Sequence, residues 1–415
     1  MKIIADLHIH SKYSRATSKN MDLESLTLWS RLKGIDLMGT GDFTHPIWFA
    51  ELEQKLKEKE KGFYSIDNKK PDVYFIPTAE IACIYSKGGS VRKIHIVLIA
   101  PSLADAKKIN DKLTARGNLM ADGRPILGLD AKELAKIVLD VSSETIIMPA
   151  HIWTPWFSLF GSKSGFDSIK ECFEELTPEI FAIETGLSSD PQMNWRLSQL
   201  DNISIVSCSD CHSPSKTGRE ATVFEIEPNF TSLRNALKNP KKGEKILYTI
   251  EFYPEEGKYH YTGHRNCNIV QSPDETQKQS TICPVCSRQL TVGVMHRVDE
   301  LADRPLDYQD KKRPSYKSLV PLLEIIAEAE GVLSISSKKV QSEYLKVVSK
   351  FKNEFHVLLE EPIKNIADYD EKLADGIQRM RAGEINIAPG YDGEFGKVKI
   401  WKGVELPKKS QESLF

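Results

Sequence analysis

The chain has 415 residues, 40% hydrophobic and 27% charged, with a net charge of -2. That length can bury a large core, the near-neutral charge counts against a general DNA coat, and no apolar run approaches the roughly 20 residues that span a bilayer. A local basic groove would be invisible in such a total. The N-terminus runs into a strand-like segment, not a basic region and signal core, so a cytoplasmic chain is expected. The seven cysteines are an odd count that argues against a disulfide framework.

Residues 2–5 read as a short buried strand, and Asp-Leu-His-Ile-His-Ser follows over residues 6–11. Residues two apart on a strand point the same way, so His8 and His10 can face one metal ion. The spacing predicts a helix over 20–34, capped by Asn20 or Asp22 and ended by Gly34. A strand over 35–40 leads to Asp42 and His45, and a charged helix is expected over 48–61. A strand over 73–84 carries Glu80, and one over 93–100 carries His95. Helices are expected over 102–115 and 130–140. His151 follows the apolar strand 145–150 at once, and another helix ends near Leu176. The strand 181–183 ends in Glu184, a short helix covers 191–200, and the strand 203–208 closes in Asp210 and His212.

Alternation of strand and helix over about 210 residues predicts an α/β fold built on a parallel sheet or barrel. In such barrels functional groups sit at the C-terminal ends of strands. His8, His10, Asp42, His45, His151, Glu184, Asp210 and His212 all fall there, which scattered core histidines would not do. Imidazoles and carboxylates without thiolates suit Zn, Mn, Fe or Mg. They are too many for one tetrahedral ion, and two or three divalent ions bridged by a carboxylate such as Glu80 fit better. Clustered ions lower the pKa of a bound water and stabilise both oxygens of a phosphoryl displacement. Phosphoester hydrolysis is the first reaction class and amide or C–N hydrolysis the second.

Downstream, Cys283-Pro-Val-Cys286 pairs with His264-x-x-Cys267 as the two halves of a closed structural zinc site, with His260 competing with His264 for the fourth position. Residues 305–400 read as mostly helical, with helices over 319–329, 344–351 and 370–382. Lys338, Lys339, Arg379 and Arg381 are candidate phosphate contacts of a duplex clamp, or else a solvated face. The glycine-rich loop 389–396 precedes a strand over 397–401 and lacks the features of a nucleotide-binding loop. The polar tail, 407–415, is expected to be disordered, and Gln411-x-x-Leu414 looks like the first half of a sliding-clamp binding peptide. The organisation expected is a catalytic barrel over 1–230, a zinc-binding module over 231–304, a mostly helical DNA-binding region over 305–405 and a flexible tail over 406–415.

The first motif, Asp42 with His45, Glu80, His95, His151 and Ser-Asp-Cys-His (residues 209–212) together resemble the PHP (polymerase and histidinol phosphatase) superfamily. The resemblance covers residues 1 to about 225, and the order of the motifs makes it specific. It implies a distorted β/α barrel with up to three metals. The chain departs from the usual pattern at Arg15, where an Asp is common. It also reads Thr-Gly-Asp-Phe-Thr-His where Thr-Asp-His is usual. With the zinc module and the C-terminal region added, the chain resembles the endonuclease Q family over nearly its whole length. That resemblance implies a metal-dependent DNA repair endonuclease. Its members cleave the phosphodiester 5′ to deoxyinosine, deoxyuridine, deoxyxanthosine or an abasic site, leaving a 3′-hydroxyl and a 5′-phosphate. The partner is damaged double- or single-stranded DNA.

The ions are expected on His8, His10, Glu80, His95, His151, Asp210 and His212, with Asp42 and His45 completing the cluster. His8, His10, Asp210 and His212 stand at the chemistry. Reading an altered base requires taking it out of the stack, and Trp48, Phe49, Trp153, Trp156 and Phe157, which follow metal-site residues, are candidates to face it. The alternatives are a phosphatase or exonuclease, or a non-catalytic metal-stabilised scaffold that binds DNA or a polymerase.

Overall fold

The computed structural model describes residues 1–67 and 71–402. The expected tail, with Gln411 and Leu414, lies outside them. The chain divides into two units. One comprises Met1–Ser318 with Pro389–Gly396, and the other Leu319–Ala388 with the segment from Lys397. No helix among the described residues is long and apolar enough to cross a membrane.

The first unit is a mixed α/β structure. Its central strand, Lys2–Asp6, runs parallel to Leu37–Gly39 on one side and antiparallel to Ala221–Glu225 on the other. These belong to an eight-stranded sheet, and Thr78–Lys87, Ser90–Ile99 and Ile146–Pro149 belong to a four-stranded one. A parallel pair, Ala182–Glu184 and Ser204–Val206, stands apart in hydrogen bonding. All three share one core, in which Ile3, Leu37 and Phe224 meet Val97, Met148, Ala182 and Val206. Burying both faces of short strands explains why they read as apolar runs and not as alternating ones.

Helix Leu23–Lys33 follows the expected pattern. The Asp22 side chain accepts from Ser25 N, and Gly34 ends the helix at φ 89°. Two expectations fail for local reasons. The segment 73–84 is not one strand. Pro77 lacks the N–H a ladder needs, and the chain passes there from Tyr74–Ile76 in the larger sheet to Thr78–Lys87 in the smaller. The helix expected over 48–61 runs from Pro46 to Lys55. Lys57–Glu60 instead forms the last strand of the eight-stranded sheet, where a row of charges blunts an exposed edge.

In the zinc region, Thr262–His264 pairs antiparallel with Ile269–Gln271. The glycine-rich loop lies against it. Tyr261 N donates to Gly390 O at 3.0 Å, and Gly393 N to Lys258 O at 2.9 Å.

The second unit is helical, with Leu322–Ala329, Lys338–Lys350, Glu354–Leu359, Ile363–Ala367 and Glu371–Ala382. The second of these starts earlier than apolar spacing predicts because Ser337 caps it, accepting from Val340 N. Here Arg381 donates to Leu358 O, Val357 O and Glu361 O at 2.8–2.9 Å, satisfying the carbonyls at a helix end. Arg379 pairs with Asp375 at 2.9 Å, and Lys339 pairs with Glu330. Three of the four candidate phosphate contacts therefore have partners within their own unit.

Trp48 and Trp153, expected on the rim of the site, are wholly buried. Each satisfies its indole N–H inside. Trp48 Nε1 donates to Gly41 O at 2.9 Å and Trp153 Nε1 to Asn194 Oδ1 at 2.8 Å. Trp153→Ala is expected to lower stability by about 3–5 kcal/mol, as for other large-to-small core changes. Urea denaturation measures this, and an unchanged midpoint would return Trp153 to the surface.

Candidate metal centre

The strand Lys2–Asp6 delivers the first two ligands. Leu7 and Ile9 turn into the core, and the alternating His8 and His10 turn to the other side. The His8 Nδ1 lies 2.9 and 3.0 Å from the two Glu184 oxygens. The His10 Nδ1 lies 3.0 Å from Asp42 Oδ1. Each carboxylate fixes its imidazole and turns the Nε2 lone pair inward, as outer partners of metal-ligating histidines do. Both Nε2 atoms and Asp210 Oδ1 are buried and make no well-formed hydrogen bond, although His10 Nε2 stands only 3.0 Å from Asp210 Oδ1. Such orphaned atoms are costly unless something else binds them.

Two groups of ligand atoms converge. His8, His10, Glu80 and Asp210 form one, and Glu80, His95 and His151 the other, with the atoms in each within 4.8 Å of one another. Glu80 is common to both. Its Oε1 lies 2.6 Å from His95 Nδ1 and 3.2 Å from His151 Nε2, and its Oε2 lies 3.2 Å from His10 Nε2. The donor set and its orphaned atoms fit a pair of divalent ions bridged by this carboxylate.

Burial pushes the Glu80 carboxyl up, but His95, Arg124 and His8 outweigh it and hold the group well below the usual carboxylate range. Asp210 is likewise held low, with His8 and His10 overcoming its burial. Burial takes His95 down to about 4, against the pull of the Glu80 carboxylate 2.6 Å away.

The backbone is strained at three of these positions. Asp42, His151 and Asp210 have φ of 48°, 30° and 45°, values that cost energy for any residue with a Cβ and that cluster at functional sites. Two glycines make room for the arrangement. A Cβ on Gly123 would meet Asp42 Oδ2 and Ser14 Oγ at 2.3 Å, and one on Gly186 would meet His151 Cβ at 2.3 Å.

The remaining expected residues lie around these groups. Asp42 stands behind His10, and its Oδ2 accepts from Ser11 N at 2.6 Å, Ser11 Oγ at 2.7 Å and Ser14 Oγ at 2.8 Å. With its oxygens so occupied it positions an imidazole and does not itself face the convergence point. His45 is outside both groups and stacks on Tyr13 at 4.5 Å. His212 packs on His10 at 4.6 Å, with its Nδ1 2.9 Å from Asp210 O. Phe49 is buried, and Phe157 lies 4.7 Å from the His95 ring. Trp156 is 38% exposed and meets Tyr259 edge-on at 5.5 Å, so it alone of the five candidate aromatics presents a large free face. Sequence reasoning missed Arg124, whose Nη1 lies 3.1 Å from Glu80 Oε2, because it sits in a loop and not at a strand end.

The second cluster is His264, Cys267, Cys283 and Cys286, again with ligand atoms within 4.8 Å of one another. His264 belongs to it and His260 does not. His260 is buried against Tyr261. Burial pushes the Cys283 thiol up, but the backbone N–H groups of Cys286 and Val285 and the His264 ring bring it to about 6. A thiolate at neutral pH is the form that binds zinc, and one imidazole with three thiols fits a closed tetrahedral site.

Two outcomes are expected. Asp42→Asn, which disturbs the network behind His10, should weaken metal affinity at the larger centre about 10–100-fold, as read by metal titration. Unchanged affinity would remove Asp42 from that role. Cys283→Ser should cost one zinc per chain by elemental analysis and lower the melting temperature by more than about 5 °C. Full zinc content would show that this thiol is not a ligand.

Comparison with known proteins places this geometry in context. A family model described as the MJ0043 C-terminal domain matches residues 321–384. The chain is 35% identical over 256 residues to the uncharacterized protein MJ0043 of Methanocaldococcus jannaschii, covering 60% of this chain but only 31% of that one. It is 31% identical over 415 residues to the uncharacterized protein YqxK of Bacillus subtilis, covering 96% of this chain and 99% of that one. The crystal structure of the lesion-specific endonuclease PfuEndoQ from Pyrococcus furiosus matches with a TM-score of 0.85 and 33% identity, over 99% of this chain and 98% of that one. A structure of endonuclease Q with a 27-mer duplex carrying an abasic lesion at its active site matches over the full length of both chains, with the same TM-score and identity. The chain belongs to the endonuclease Q family.

Proposed function

We propose that this protein is a metal-dependent endodeoxyribonuclease of DNA repair. It nicks DNA 5′ to a deaminated base or an abasic site and leaves a 3′-hydroxyl and a 5′-phosphate. The observation that carries the reading is the convergence of His8, His10, Asp210, His95 and His151 on the shared Glu80 carboxylate. The chain's full-length likeness to a lesion-specific endonuclease solved with an abasic duplex supports the substrate class.

In this reading the sheets of the first unit form the distorted β/α barrel, residues 231–304 its zinc module and 305–405 a region that grips DNA. Two or three divalent ions at the barrel would activate a water and stabilise the charge of the departing oxygen. The protein's own groups do the rest. Glu184 and Asp42 hold the imidazoles, and Glu80 joins the two groups. His212 stands beside His10 at the partly exposed side of the centre. Trp156 offers an aromatic face for a base drawn out of the stack. The water oxygen bonds to phosphorus as the bond to the 3′ oxygen breaks, with no covalent enzyme intermediate. A cytoplasmic setting would keep the four zinc-site residues in their reduced, ligating form.

The test is to map cleavage of end-labelled duplexes with and without one deoxyuridine or deoxyinosine. Nicks are expected only 5′ to the lesion, and chelator should abolish them. His8→Ala and Asp210→Ala should each lower the rate at least about 10³-fold, with nearly the same loss for the double variant because the ligands act as a unit. DNA binding should largely persist. Equal cleavage of undamaged duplex, or wild-type rates in either variant, would overturn the reading.

A further inference from the structure

Arg124 brings a guanidinium to the candidate metal centre. Its Nη1 donates to Glu80 Oε2 at 3.1 Å. The Glu80 side chain is fully buried, whereas that of Arg124 is 28% exposed. The guanidinium therefore contacts the bridging carboxylate from a side chain that also reaches solvent. An arginine carries five N–H donors in a rigid fork. Among the described residues only Nη1 makes a side-chain hydrogen bond, so the Nε and Nη2 donors remain for a ligand.

The loop that carries Arg124 is fixed on every side. Gly123 N donates to Tyr13 O at 3.0 Å, and Ala82 N to Pro125 O at 3.0 Å. Thr44 Oγ1 donates to Gly123 O at 3.3 Å, and Arg124 N to Asp122 Oδ1 at 3.1 Å. Gly123 itself fits against Asp42 and Ser14 with no room for a Cβ. The backbone that carries the guanidinium is thus held in place, and the Glu80 contact directs the side chain.

Its placement also has an electrostatic consequence. The carboxylate it pairs with is the one both ligand groups share. Divalent ions in those groups repel a guanidinium a few ångströms away, and in a partly buried site that repulsion is poorly screened. An anion that touches both the ions and the guanidinium removes the conflict. Arginine matches the oxygens of a phosphate in a bidentate way that no other side chain does.

We propose that Arg124 is a catalytic residue that binds a non-bridging oxygen of the scissile phosphodiester and stabilises the charge it gains during displacement. The inference rests on the endonuclease reading given above. As the water oxygen forms its bond to phosphorus, the bond to the 3′ oxygen of the preceding nucleotide breaks with its electron pair. That oxygen takes up one proton, matching the one the attacking water releases to solvent, and leaves as the hydroxyl. Arg124 keeps its own proton throughout and acts only by hydrogen bonding and charge. It is thus distinct from Glu184 and Asp42, which act through histidines.

The experiment compares wild type, Arg124→Ala and Arg124→Lys in the metal-loaded protein, with folding checked by thermal melting and metal content by elemental analysis. Single-turnover nicking of a deoxyuridine duplex should fall about 10²–10³-fold in Arg124→Ala, the range seen when one charge-stabilising donor is removed. Lysine should restore little, since it lacks the fork. Metal content should stay at the wild-type level, and millimolar guanidine hydrochloride should restore Arg124→Ala at least tenfold. Inorganic phosphate binding, measured by calorimetry, should weaken at least tenfold in the same variant. This arm does not depend on the DNA reading. If wild type fails to nick the lesion duplex, the endonuclease reading falls while phosphate binding still judges Arg124. Wild-type phosphate affinity in Arg124→Ala, metal loss in step with activity, or no rescue by guanidine would each overturn the proposal and leave Arg124 as a partner that only neutralises Glu80.

Discussion

The Glu80 carboxylate is the contact on which the rest of the site depends. It is buried, and no solvent shell stabilises its charge. A lone carboxylate there would protonate. It stays ionised because imidazoles from three segments and one guanidinium surround it. Those segments come from the eight-stranded and the four-stranded sheets of the first unit. Removing the carboxylate would leave His10, His95, His151 and Arg124 facing one another with nothing between them. The long strand Thr78–Lys87 that carries it is paired along its whole length with Ser90–Ile99, which brings in His95 two residues out of register with Glu80. The hairpin is the rigid element on which two ligands are preset.

Around this contact the fold trades local comfort for placement. Three residues at the centre sit at positive φ without being glycine, and two glycines are packed against site residues so tightly that a methyl group would collide. Strain of this kind persists only where surrounding structure over-determines it. Here the determining groups are visible. Asp210 N donates to His8 O at 2.9 Å and His10 N to Cys211 O at 3.2 Å, so the Asp210 turn is pinned to the first motif. Asp6, buried beneath, accepts from Ser209 N, Ser209 Oγ and Gly218 N and holds the same turn from behind.

Much of this was legible in the sequence, and what was not has physical causes. His8, His10, His151 and Asp210 were found because strand ends are visible as the end of an apolar run. The four residues of the His264, Cys267, Cys283 and Cys286 cluster were legible because their spacing is local. Orientation is not local. Nothing in one sequence distinguishes Asp42, whose oxygens are turned behind His10, from Asp210, whose Oδ1 is turned inward. Trp48 and Trp153 look like rim residues because they follow site residues. Each is drawn inside because its indole N–H finds a buried acceptor. Arg124 lies in a loop with no periodic signal, and it is far in sequence from Glu80. The strand break at Pro77 was readable from the missing N–H, but the switch to another sheet was not.

The charges bear on how a chain of net charge -2 would address the polyanion of the proposed function. Four carboxylates, Asp42, Glu80, Glu184 and Asp210, crowd around His8, His10, His95 and His151. Imidazoles that give lone pairs to ions are neutral, which leaves Arg124 as the fixed positive group at the centre. With the imidazoles neutral and ligating, the protein groups of the site are therefore net negative. Two divalent ions would reverse that sign locally without changing the composition of the chain. A third would deepen the reversal. In the proposed function, attraction for the DNA backbone would then be concentrated at the metal centre and not spread over a basic surface. The same argument accounts for the burial of the carboxylates. Outside the low-dielectric interior, acidic ligands would be screened and would hold ions weakly. Inside it they need the ions as much as the ions need them. The Nε2 atoms of His8 and His10, which make no well-formed hydrogen bond, are where such ions would be held.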